Sequence, residues 1–109
     1  MVKKNFFDGK VVLITGSTRG IGLAIAKAFS NEGALIGLNG RDERVVKEAM
    51  KDVPNSISAA GDVSKVSGCK NAVQSVLAQY GRLDILINNA GIFENIQLKT
   101  LLKKFGILL

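Results

Sequence analysis

Six residues with a use in anion chemistry stand together in "TGSTRGIG", positions 15 to 22. Gly16, Gly20 and Gly22 are spaced G-x-x-x-G-x-G, directly after an apolar run and at the head of a helical pattern. A strand that enters a glycine turn and leaves it as a helix is a phosphate cradle. Gly16 lets the backbone turn sharply, Gly20 admits a ligand closely, and Gly22 lets the helix lie against the strand. Unpaired N–H groups and the positive dipole end of the helix suit a pyrophosphate. Ser17, Thr18 and Arg19 add donors beside them, and Ile21 lies in the same turn. The spacing is neither G-x-G-x-x-G nor a P-loop, since Gly22 is followed directly by Leu23 and Ala24 rather than by Lys and a Ser or Thr. A tight strand-to-helix turn without a ligand is the competing reading.

The rest of the composition removes other chemistries. With no histidine among 109 residues, a Ser-His-Asp triad, a Cys-His pair or a His-ligated zinc cannot be built from this chain. The single cysteine, Cys69, cannot form an internal disulfide, which suits a reducing, cytoplasmic setting. The formal charge of +6 implies a basic surface or an anionic ligand. Five Phe and one Tyr do not alternate with the basic residues, which argues against nucleic acid. The N-terminus "MVKKNFFDGK" is charged and followed by only four apolar residues. Neither a secretory signal nor a membrane span of about 20 apolar residues is expected.

The elements that must position the turn follow from periodicity. "VVLI" at 11 to 14 is apolar without alternation, as in a strand covered on both faces. From Gly20, the spacing of Ile21, Ile25, Ala28 and Phe29 predicts a helix with those residues on its buried face, closed by "NEG" at 31 to 33. "ALIGLN" reads as a second strand, "DERVVKEAMKDV" as a charged helix stopped before Pro54, and "NSISAAGD" as a weak third strand. Ser64 is the expected cap of the next helix, whose apolar face carries Cys69, Ala72, Val73, Val76, Leu77 and Tyr80. "LDILINNAG" is the fourth and strongest strand. The order β-α-β-α-β-α-β, with short connections, predicts one α/β domain over 1–109 with a parallel, doubly wound sheet.

With "TGSTRGIG" at 15 to 22, "GD" at 61 and 62 and "NNAG" at 88 to 91, the chain resembles the short-chain dehydrogenase/reductase family. The resemblance covers residues 7 to about 99, with 7–91 family-like and 92–109 atypical. It implies a partial Rossmann-type sheet in the order 3-2-1-4 and a bound NAD(H) or NADP(H). The end of the second strand normally reads the adenosine ribose, a carboxylate favouring NAD and an arginine a 2′-phosphate. Here Asn39 takes the place expected for the acid, and Arg41 follows. A base at Arg19 is similar to an NADP-preferring pattern, so NADP is expected over NAD. The resemblance further implies that Asp62 and Val63 flank the adenine, the alternative being an end-of-strand turn with Asp62 capping the next helix. Asn89, Ala90 and Gly91 would lie beside the cofactor ribose, where the asparagine amides can instead tie strands together.

The same resemblance implies a reaction centre of serine, tyrosine, lysine and a relay asparagine, with the tyrosine as proton donor to a carbonyl. The one tyrosine here, Tyr80, precedes "NNAG", has Asp84 four residues on, and falls on an apolar helix face. No catalytic residue carries over. The expectation is an NADP-binding part of an oxidoreductase that acts on a small carbonyl or alcohol only when completed. The alternatives are a non-enzymatic nucleotide-binding or regulatory module, and a frameshifted remnant. A fourth strand left at the sheet edge invites self-association. The tail from Leu98 places Leu101, Leu102, Phe105, Leu108 and Leu109 on one helical face with lysines elsewhere. It can pack on the fold's own edge, meet a partner or membrane surface, or mark a shifted reading frame. A one-base shift can turn its codons into the acidic, tryptophan-containing stretch of the family.

Overall fold

A computed structural model of the chain describes residues 6–90. The expectations on Gly91 and on the tail 92–109 lie outside the described residues. Seven elements alternate: β1 Val11–Ile14, α1 Gly20–Asn31, β2 Leu35–Leu38, α2 Glu43–Met50, β3 Ser56–Ser58, α3 Val66–Tyr80 and β4 Ile85–Ile87. All pairings are parallel, in the order β3-β2-β1-β4, which is the order expected.

The lack of alternation in β1 has a simple cause. Val11 and Leu13 point to one face of the sheet and pack with Cys69, Ala72, Val73 and Val76 of α3. Val12 and Ile14 point to the other, against Ala26 of α1 and Val46 and Ala49 of α2. All four are at most 1% exposed, so every position of the strand must be apolar. Full burial of such a side chain is worth about 1.5–3 kcal/mol.

The helix ends are set by local chemistry. Asp42 caps α2 by accepting the Arg44 N–H at 2.9 Å, and Glu43 pairs with Lys47 one turn on. α3 stops at Gly81, whose φ of 76° is left-handed and whose N–H donates to the Leu77 carbonyl at 2.8 Å. At the base of the sheet, Val11 N–H donates to Asp84 Oδ2 at 2.8 Å, and Asp84 N–H donates back to the Val11 carbonyl. Burial pushes the Asp84 carboxyl up, but the Val11 amide and the Arg82 guanidinium outweigh it and hold it below its ordinary value.

Three local expectations are corrected. The fully buried positions of α1 are Gly22, Ala26 and Ser30; Ile25 and Phe29 pack half-buried against the core as expected, whereas Ile21 is 75% exposed and Ala28 also faces outward. At Gly22 close contact with the glycine turn leaves no room for a side chain, Ala26 packs in the core, and Ser30 donates to the Pro54 carbonyl. Ser64 does not cap α3: Lys65 stands at that position without a side-chain bond. The Ser64 hydroxyl donates instead to Asp62 Oδ1 at 2.7 Å, because Asp62 organises its own turn by also accepting the Ser64 N–H. β4, expected to be the strongest strand, spans only three residues, all half-buried; it lies at the sheet edge as expected, with only β1 pairing with it among the described residues.

Candidate functional site

The turns that follow all four strands open onto one cleft of about 940 Å³. The first turn supplies Gly16, Thr18, Arg19, Gly20, Ile21 and Gly22. The turn after β2 supplies Asn39 and Arg41, the turn after β3 Asp62 and Val63, and the turn after β4 Asn89 and Ala90. Four stretches that are far apart in sequence thus meet around one space.

The cradle is built by crowding as well as by conformation. Gly16 has φ 59°, and a Cβ there would stand 2.9 Å from Ala90 Cα. Gly22 admits no side chain: a Cβ would meet Asn89 Nδ2 at 2.6 Å and Ser17 Cα at 2.9 Å. The turn is held from below by Asn89, whose Nδ2 donates to the Gly16 carbonyl at 3.0 Å. Thr15 Oγ1, fully buried, accepts the N–H groups of Asn89 and Ala90 at 2.9 Å each and donates to Asn88 Oδ1. The asparagines therefore tie β4 to the cradle, the alternative their sequence position left open.

Ser17 stands behind the cleft rather than in it. Its hydroxyl donates to the Ile14 carbonyl at 2.7 Å and accepts the Asn39 N–H at 2.9 Å, with no exposed surface. Asn39 is turned the same way and is 1% exposed. Its Oδ1 accepts the Gly16 N–H, and its Nδ2 donates to the carbonyls of Ala59 (2.8 Å) and Gly61 (3.1 Å). An amide so engaged has no donor left for a ribose. Its work is to lock the phosphate turn to the end of β3.

The charges divide in two. Asp42 lines the cleft, but its carboxylate is taken by the α2 cap and lies 3.9 Å from Arg44 Nε. Arg19 and Arg41 line it with no ion pair among the described residues. Arg19 stands at the N-cap of α1 without making a side-chain cap bond. The Thr18 and Arg19 amides donate no backbone hydrogen bond among the described residues, and the first α1 amides lack helical partners by geometry. The donor set, the left-handed turn and the crowded glycines fit a pyrophosphate and its sugars.

Asp62 Oδ1 is occupied by Ser64. The Ser64 bonds hold the carboxyl below its ordinary value. Its other oxygen is available to an amino group. Tyr80 is elsewhere, on α3, with its hydroxyl donating to the Asn55 carbonyl at 3.2 Å. Reading the sequence missed Gly40, which lines the cleft between Asn39 and Arg41. The signal available was a glycine at the end of a strand with no turn to require it.

A family model described as short chain dehydrogenase matches residues 10–105. An uncharacterized oxidoreductase of Methylorubrum extorquens is 38% identical over 95 residues, covering 80% of this chain and 37% of the relative. An 11-beta-hydroxysteroid dehydrogenase-like protein of Arabidopsis thaliana is 42% identical over 92 residues, covering 80% and 31%. Among solved structures, L-sorbose reductase of Gluconobacter frateurii, complexed with NADPH and L-sorbose, aligns with TM-score 0.75 and 40% identity over 84% of this chain and 37% of its own. The 3-ketoacyl-(acyl-carrier-protein) reductase of Brucella melitensis, complexed with NADH, aligns with TM-score 0.68 and 33% identity over 73% and 33%. The chain spans about a third of the length of these relatives. Its cleft lies at the carboxyl ends of a Rossmann-type sheet, and the chain belongs to the short-chain dehydrogenase family.

Proposed function

We propose that the cleft binds NADP(H) in preference to NAD(H), and that the chain is the cofactor-holding part of an oxidoreductase for a small carbonyl or alcohol. The observation that carries the cofactor choice is the pair Arg19 and Arg41, both lining the cleft and neither in a salt bridge among the described residues, although Asp62 lies within electrostatic reach of Arg41. Relatives are known with each nicotinamide cofactor, so the choice rests on this chain's own charges. A guanidinium meets a phosphate through two parallel N–H donors, and such charge-assisted bonds are worth about 1.5–3 kcal/mol. The cofactor supplies the hydride. This chain's residues hold its phosphates, orient its ribose and seat its adenine beside Asp62 and Val63.

Titration of the full chain with NADPH and NADH, read by nicotinamide fluorescence, tests the choice. NADPH should bind about tenfold more tightly, a difference of ~1.4 kcal/mol. Arg41→Ala and Arg19→Ala should each erase most of that difference and leave NADH unchanged. Equal affinity for both cofactors, or no loss on Arg41→Ala, overturns it.

A second reading is favoured by the position of Tyr80. The only tyrosine of the chain is bonded to Asn55 and does not line the cleft. On its own residues the chain therefore holds a cofactor without the proton donor a carbonyl reduction needs. It then works as a nucleotide-binding or regulatory module, or persists as a frameshifted remnant. NADPH consumption with a panel of carbonyls separates these readings, and no turnover by the chain alone is the expected result. The half-buried β4 supports self-association or completion by another chain, visible as concentration-dependent sedimentation. A cytoplasmic location, with neither nucleic acid nor membrane as partner, completes the proposal.

A further inference from the structure

Gly68 stands inside α3, where glycine is a poor helix former, so its place needs a local reason. The reason is the turn after β3. A Cβ at Gly68 would stand 2.5 Å from both the amide nitrogen and the carbonyl carbon of Asp62, and it would run into the Asp62 carbonyl oxygen. A Cβ at Gly61 would in return run into the Gly68 carbonyl oxygen and stand 3.0 Å from its carbon. Every atom in these contacts belongs to the backbone, so a methyl at either place can be relieved only by moving the chain. The next residue fastens the same turn: the buried Cys69 Sγ donates to the Val63 carbonyl at 3.1 Å. On the other side the turn is tied to the sheet, with the Gly61 N–H donating to the Gly40 carbonyl at 2.9 Å. Asp62 and Val63 line the cleft, whereas Gly68 and Cys69 do not.

We infer that Gly68 and Cys69 are positioning residues for the adenine: the first turn of α3 fixes where the Asp62 carboxylate stands, and so how well the cleft reads the adenine 6-amino group. Asp62 Oδ1 is held by the Ser64 N–H and hydroxyl, which leaves the other oxygen to accept from that amino group. The Ser64 bonds lie within the same turn, so a shift of the Asp62 backbone carries the free oxygen with it. A hydrogen bond at about 2.9 Å is lost beyond about 3.5 Å, so a shift of roughly half an ångström decides it. The inference rests on the reading that seats the adenine beside Asp62 and Val63.

The test compares two reduced cofactors in the full chain, NADPH and its hypoxanthine analogue, which carries an oxygen where adenine has the 6-amino group. Both present the same nicotinamide and phosphates, so nicotinamide fluorescence reads each affinity. Wild type should prefer NADPH about tenfold, a ratio that Asp62→Ala should abolish. Gly68→Ala should bring the ratio to about one, and adding it to Asp62→Ala should change the ratio no further. Alanine is the better helix former, so a purely local role for Gly68 predicts a firmer α3 and an unchanged ratio. If Gly68→Ala does not fold, Cys69→Ala replaces it: removing the thiol should lower the ratio at least about threefold. Cys69→Ser, whose hydroxyl can donate to the same carbonyl, should keep it. A ratio that survives the substitution, equal weakening of both cofactors included, overturns the inference. A wild type that binds both cofactors equally, or a ratio that survives Asp62→Ala, overturns the adenine reading instead, so the two failures are distinguishable.

Discussion

Asn39→Asp is the substitution that the sequence alone would recommend for converting the chain to NAD. The structure assigns it a different outcome. Asn39 Nδ2 lies 2.8 Å from the Ala59 carbonyl and 3.1 Å from that of Gly61, and the residue is 1% exposed. A carboxylate there would set an anionic oxygen against two carbonyl oxygens. Two hydrogen bonds, each worth about 1 kcal/mol net, are lost, and leaving a buried acceptor unsatisfied costs about 1–3 kcal/mol more. The total of about 3–5 kcal/mol is a large part of the 5–15 kcal/mol stability of an ordinary domain. The introduced carboxyl can recover one donor by remaining protonated, so its folded-state pKa rises above the unfolded value of about 3.9. The sign follows: the variant is closest to wild type below that unfolded value and loses stability as pH rises through its raised folded pKa. Urea denaturation of wild type and variant at pH values from 4 to about 7.5 measures this directly, alongside NADH titration. Equal stability across that range, together with tighter NADH binding, would refute the inward-facing amide and restore Asn39 as the ribose reader.

Thr15→Val keeps the shape of the side chain but removes the oxygen that accepts two β4 amides and donates to Asn88. It should cost about 2–4 kcal/mol in denaturation and weaken both cofactors together, since it loosens the whole cradle rather than one contact. An unchanged denaturation midpoint would contradict that tie. Asp84 has a folded pKa below its ordinary value, so its contribution is present above the unfolded pKa of about 3.9 and lost as pH falls through the lower folded value. Asp84→Asn should therefore lower stability at neutral pH and flatten the acid limb of the stability profile. Parallel profiles for the two proteins would remove Asp84 from the account.

Much of the fold was legible because it depends on periodicity. β1 is apolar at every position since both faces are covered, and α3 shows its buried side in Cys69, Ala72, Val73 and Val76. α1 was read correctly at Ile25 and Phe29 and misread at Ile21 and Ala28. Its inner face carries Gly22 and Ser30, which a hydrophobic count ignores, while the exposed Ile21 lies at the cleft. The cap of α3 was misplaced because Asp62 and Ser64 compete for the same local hydrogen bonds, and only their geometry shows which pairing forms.

The sequence by itself determined the order of the elements, the parallel sheet and the location of the phosphate turn. Each follows from short-range spacing of glycine and apolar residues. Tertiary structure alone decided what Asn39, Thr18 and Gly40 do, because each is defined by groups 20 or more residues away. Asn39 meets the Gly16 amide and the Ala59 carbonyl, and the space at Gly40 is filled by Thr18. Side-chain direction at the end of a strand depends on which neighbouring turns offer acceptors and volume. That information exists only once the strands have assembled.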